Sequence, residues 1–172
     1  MLQSESLAGD ARHVEIFVAG ALIEPTTTPA IAHKVGGAAV SVVAYNGALP
    51  LYDVSWRIQF DGRTDNLTTV IVAATVFILQ KISAEPVITL HLPDRLLSLA
   101  LQEEDKETPR HDVPDRLMRQ LTPLLAKVST VNIVDRALSR RMHRLYEQAK
   151  EATAGSGDTL RRRLSDPSRS LP

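Results

Sequence analysis

Apolar and polar positions divide the chain into strand-like and helix-like segments. Residues 13–23 (HVEIFVAGALI) are an almost unbroken apolar run, as in a central strand covered on both faces. EPTTTPAIAH (24–33) carries two prolines and a threonine run and reads as a loop. KVGGAAVSVVAY (34–45) is a second strand, weakened at Gly36 and Gly37, and Asn46-Gly47 is a hairpin signal. LYDVSWRIQF (51–60) alternates apolar and polar residues, which predicts a half-exposed third strand, and DGRTDN (61–66) reads as a turn. Thr64 or Asn66 can cap the next element, which runs to about Ile82. Its β-branched residues lower helix propensity, so a strand is a rival reading. Its length without a turn signal favours a helix.

The second half is more broken. VITLHL (87–92) predicts a fourth strand, followed by a leucine-rich helix, RLLSLALQ, opening at Pro93 or Asp94. The charged, proline-broken segment 103–114 reads as a linker. Residues 115–128 place Leu117, Met118, Leu121, Leu124 and Leu125 on one helical face, with Pro123 set to kink or divide the helix. STVNIVD (129–135) predicts a short fifth strand, and residues 136–152 an amphipathic helix with a basic face. From Ala154 onward large apolar residues are scarce. The expected organisation is a flexible tail at 1–12, a folded domain at 13–153 and a disordered tail at 154–172. The order βββαβααβα implies an α/β domain, with one five-stranded mixed sheet flanked by helices.

Composition narrows the chemistry. The chain has 172 residues, 44% of them hydrophobic and only 4% aromatic, so a core must come from aliphatic side chains. It has no cysteine, which excludes disulfides, thiol catalysis and cysteine-ligated zinc, and fits a cytoplasmic setting. Twenty Lys and Arg balance twenty Asp and Glu. Nucleic-acid binding would therefore need a local basic patch rather than a global field. The N-terminal residues do not have the pattern of a signal peptide, and VIVAATVFIL (70–79) is too short to span a bilayer. No membrane association is expected.

The element order resembles the ribonuclease H family of the bacterial type I kind, and local segments carry the same resemblance. VEIFVAGA is similar to that family's first strand, VGGAAVSVVAY to its glycine-led second strand, and TDNLTTVIVAATVFIL to the segment opening its first helix. VITLHLPDRLLSLAL and VSTVNIVDRALSRRMHRLYEQAKEA are similar to its later strands and helices. The resemblance implies a site of four carboxylates around two magnesium ions. Such ions take oxygen ligands and clamp the attacking and leaving oxygens of a phosphodiester.

This sequence departs from that pattern at each place. The positions implied to be equivalent are Ala19 on the first strand, Thr69 or Val70 in the first helix, Leu92 at the end of the fourth strand and Tyr146 in the last helix. The candidates for displaced acids are Asp94, Asp65 and Glu147. Glu15 shares a strand face with Ala19 but lies about 13 Å away along the strand. That is too far to replace a ligand whose bond to the metal is about 2 Å.

Other features have simple readings. Arg136, Arg140, Arg141, Arg144 and Lys150 form a basic face, either an ordinary solvated face or a set of phosphate contacts. Asn66 is either a helix cap or a minor-groove contact of the kind the resemblance implies. His13, His33, His91, His111 and His143 have no metal-ligand spacing. RRRLSDPS (161–168) places arginines before Ser165, as in basophilic kinase sites, but such short patterns arise by chance and a solvated tail is the favoured reading.

The expected function is a non-catalytic binding or assembly module that needs no cofactor, a degenerate relative of an enzyme. Its partner would be another protein or a second copy, met through the sheet edge or a helix face, with weak nucleic-acid binding through Asn66, Arg140, Arg141 and Arg144. The alternative is a metal-dependent ribonuclease acting on RNA–DNA hybrids. It would require Mg²⁺ and a rearranged site of Asp94, Asp65 and Glu147.

Overall fold

The computed structural model describes residues 11–23, 34–64, 66–83, 86–93, 113–155 and 157–170. Its strands are β1 (His13–Ile23), β2 (Lys34–Asn46), β3 (Leu49–Thr64), β4 (Val87–Leu92), β5 (Val128–Ile133), β6 (Thr159–Arg163) and β7 (Asp166–Ser170). Its helices are α1 (Leu67–Leu79), α2 (Asp115–Leu125) and α3 (Arg140–Thr153). All strands join one mixed sheet in the order β5-β4-β1-β2-β3-β6-β7. No helix among the described residues is long and apolar enough to cross a membrane.

β1 holds the centre, antiparallel to β2 and parallel to β4. Its side chains alternate between two faces, as the period of a strand requires. Val14, Ile16 and Val18 enter the main core with α1 and α2. Ala19 and Ala21 enter a smaller cluster with Met142, Leu145 and Ala149 of α3. Every residue of α1 from Thr69 to Leu79 is buried, because the helix lies between the sheet and α2. This resolves the helix-or-strand ambiguity in favour of the helix. Its carboxyl end is satisfied from outside: the Lys127 ammonium donates to the carbonyls of Leu79 and Ile82 at 3.2 and 2.9 Å.

Two adjacent glycines set the depth of both helices. A Cβ on Gly36 would lie 2.8 Å from a Val70 methyl of α1. One on Gly37 would lie 2.5 Å from the Ala149 carbonyl of α3. Helices on opposite faces thus press on the sheet at one place. The hairpin at Asn46-Gly47 forms as expected, with Gly47 at φ 62°.

The sheet has seven strands rather than the expected five. Residues 159–170, expected within a disordered tail, form the β6–β7 hairpin. β6 pairs in parallel with the last part of β3, from Arg57↔Thr159 to Asp61↔Arg163. β3 therefore continues through residues 61–64, where a turn was expected. Gly62 permits this with φ 149°, and a Cβ there would meet Leu164 at 2.9 Å. Pairing of this kind uses backbone groups, so the few apolar residues of the segment were a poor guide. Leu164 anchors the hairpin in the main core, and Arg116 of α2 pairs with Asp166 at 3.2 Å. The last helix also starts later than expected. Residues 136–138 form a turn, and Ser139 caps α3 by accepting from the Met142 N–H. Pro123 sits in the last turn of α2 without ending it. The helix expected after Pro93 lies outside the described residues.

Candidate functional site

β4 ends at Leu92, whereas β1 runs on for several residues past its last pairing with β4, Phe17↔His91. A crevice opens beyond the end of the shorter strand, where a sheet of this type commonly receives a ligand. It is a cavity of about 480 Å³, lined by Ala19, Gly20, Ala21 and Leu22 of β1, Leu67 and Ile71 of α1, Pro93, Arg136, Met142 and Tyr146. Leu67 and Ile71 are four residues apart and share one helical face. The Arg136 guanidinium lies 3.8 Å from the centre of the Tyr146 ring, and the Lys150 ammonium lies 5.1 Å from it.

Ala19 and Tyr146, two of the four positions singled out from the sequence, meet here. Thr69 and Leu92 do not; both are buried elsewhere. Val70 instead packs against Gly20 and Gly36. The walls that α1 and the end of β4 supply are Ile71 and Pro93.

Among the described residues no three His, Asp, Glu or Cys side chains gather to hold a metal. Among the described residues no carboxylate lines the cavity. The described residues therefore do not fit a pair of magnesium ions, whose hard character calls for carboxylate oxygens. Glu147 faces a neighbouring groove and pairs with Lys150 at 3.1 Å. Glu15 pairs with His91 at 3.3 Å, well down the strand from Ala19. Asp65 and Asp94 lie outside the described residues, as do His33 and His111.

The neighbouring groove, about 630 Å³, is lined by Arg136, Ala137, Leu138, Ser139, Arg140, His143, Arg144 and Glu147. It wraps the amino end of α3, whose backbone dipole adds positive potential. Arg140 and Arg144 are exposed and form no ion pair among the described residues. Arg136 lines both the cavity and the groove.

Arg141 is placed differently from its neighbours. Its guanidinium donates to both carboxylate oxygens of Asp53, at 3.1 and 2.8 Å, and to Ser41 Oγ at 3.0 Å. It also lies 5.2 Å from the Phe17 ring. This engagement holds Asp53 below its usual value, chiefly through the Arg141 hydrogen bonds. The same bonds raise Arg141. Arg141 thus fastens α3 to the sheet, and Arg136 takes its place in the groove. Asn66 is the cap of α1, its Oδ1 accepting from the Thr68 N–H at 2.9 Å. Ile71, Pro93 and Met142 were not singled out from the sequence. Apolar spacing marks them as core, and only the end of β4 turns them into cavity walls.

No protein-family model and no curated protein matches this sequence. Solved structures do match by shape. LC9-RNase H1, a type 1 ribonuclease H with the type 2 active-site motif, gives a TM-score of 0.63 at 11% identity, over 86% of this chain and 74% of that one. Ribonuclease H1 from the archaeon Halobacterium salinarum gives 0.51 at 20% identity, over 81% and 98%. LC11-RNase H1, solved in complex with an RNA/DNA hybrid, gives 0.50 at 16% identity, over 83% and 99%. At these identities the likeness is one of fold: the chain has a ribonuclease H-like fold, with seven strands in its sheet rather than the five expected.

Proposed function

We propose that this chain is a non-catalytic ribonuclease H-like module that binds nucleic acid through the arginine groove at the amino end of α3. The observation that carries this reading is the lining of the crevice between β1, β4, α1 and α3. Ala19 and Tyr146, two of the positions where the resemblance calls for carboxylates, stand there with Ile71 and Pro93 beside a guanidinium. Among the described residues that lining offers no carboxylate to magnesium and none to repel a phosphate. Arg136, Arg140 and Arg144 face a groove in which Glu147, the one lining carboxylate among the described residues, is paired with Lys150. Arginine suits phosphate because its planar fork can donate two hydrogen bonds to one phosphate group.

The fold neighbours support this direction, since LC11-RNase H1 was solved on an RNA/DNA hybrid. The test is anisotropy of a labelled hybrid over a range of salt, with the same samples run for cleavage in Mg²⁺ and Mn²⁺. Expected are salt-dependent binding and an intact hybrid. Replacing Arg144 by Gln should flatten the log-affinity against log-salt slope by about 1. Absence of binding at low salt would reject the module. Metal-dependent cleavage would favour the ribonuclease alternative.

A further inference from the structure

The cavity and the groove are two compartments of different chemistry joined at one side chain. The cavity is walled by Ala19, Ala21, Ile71, Met142 and Tyr146. At about 480 Å³ it falls within the roughly 300–1,000 Å³ of small-molecule sites. The groove is cationic. Arg136 stands at the junction with its guanidinium on the Tyr146 ring. We infer that the two compartments form one nucleotide site, in which an unpaired base enters the cavity and its phosphate lies on Arg136, Arg140 and Arg144. This rests on the nucleic-acid reading above and adds to it a recognised base.

The argument is one of matched shape and charge. Bases stack on aromatic rings and on guanidinium planes. Arg136 and Tyr146 together supply both surfaces at the cavity wall. Met142, fully buried behind this wall, backs it from the core. The small residues Ala19, Gly20 and Ala21 leave the space that larger side chains would fill. Among the described residues, two acids on or just before α3 are already engaged. Glu147 pairs with Lys150, and the Asp135 carboxylate accepts from the Ala137 N–H at 2.9 Å. An aliphatic anion would use the charge but not the stacked pair.

The test uses the full chain, with AMP, UMP, ribose 5-phosphate and decanoate as probes in calorimetry, beside the labelled hybrid. The nucleotides should bind about tenfold or more tightly than ribose 5-phosphate, the effect of one stacked base. Arg136→Lys, which keeps the charge but loses the flat fork, should remove that preference while phosphate affinity persists. Tyr146→Leu should remove it as well, with thermal melting used to confirm that the variant is folded. A single strand with one internal 2-aminopurine separates the two sources of the ligand. A strand that binds far more tightly than AMP, with a changed fluorescence, identifies a base within a polymer. AMP as tight as the strand identifies a free nucleotide, and either result upholds the site. Nucleotides no better than ribose 5-phosphate, while the hybrid still binds, would overturn this inference and leave the module standing. Decanoate preferred over AMP would also overturn it. Failure of every phosphate-bearing probe and of the hybrid would remove both.

Discussion

The two faces of the sheet are built for different purposes. The face under α1 and α2 is dry: Val14, Ile16, Val18, Val40, Val42, Ile58, Leu90 and Leu92 are buried against two helices. The face under α3 is mixed. There, alanines and Met142 make a small cluster, and the rest is held by polar ties such as Arg141 to Asp53 and Arg57 to Glu151 at 3.0 Å. Stability is therefore concentrated on one face. The α3 side carries the charged groove, and the cavity opens between α1 and α3 beyond the end of β4.

That contrast can be broken from either side. Leu90→Ala on the dry face should cost about 2–5 kcal/mol in denaturant unfolding, because the site is fully buried and cannot collapse easily. Gly37→Ala acts at the closest approach of α3, where the added methyl would meet the helix backbone. It should cost about 1–3 kcal/mol. A loss as large as that of Leu90→Ala would mean that α3 belongs to the stable core.

Asp53→Asn should cost less, about 0.5 kcal/mol at neutral pH, since the pair is half exposed and screened by solvent. The sign with pH follows from the lowered pKa of Asp53. Its contribution is complete above the usual value of 3.8 and fades as acid carries the solution down through the lowered one. Wild type and variant should thus converge in acid, which melting over a pH series would show. Arg140→Gln with Arg144→Gln should leave the melting temperature within about 4 °C, given that each surface change stays within about 0.5 kcal/mol. Hybrid affinity should fall together with its salt dependence.

Much of the frame was readable from residue patterns alone. β1 and β4 occupy the residues their apolar runs predicted, because a buried strand needs just such a run. The glycine pair was legible as a backbone feature, though not that two helices meet there. The hairpin at 159–170 was not legible, because β6 joins the edge of β3 and β7 joins β6 through backbone pairing, with Leu160, Leu164 and the Arg116–Asp166 pair to seat them. For the site, Ala19 and Tyr146 were identifiable by their place in the element order. The basic residues were visible as a set, but spacing could not tell Arg141, turned to Asp53, from Arg144, turned to solvent. Ile71 and Pro93 carry no chemical signal of their own.

The central claim is that this domain holds nucleic acid without cutting it. The most direct measurement is a single incubation of end-labelled RNA–DNA hybrid with saturating protein and Mg²⁺, read for binding by anisotropy and for cleavage on a denaturing gel. The account predicts a fully bound and uncut hybrid, unchanged when Mn²⁺ replaces Mg²⁺. Cleavage that disappears in Asp94→Asn would contradict it and place a working carboxylate site in this chain.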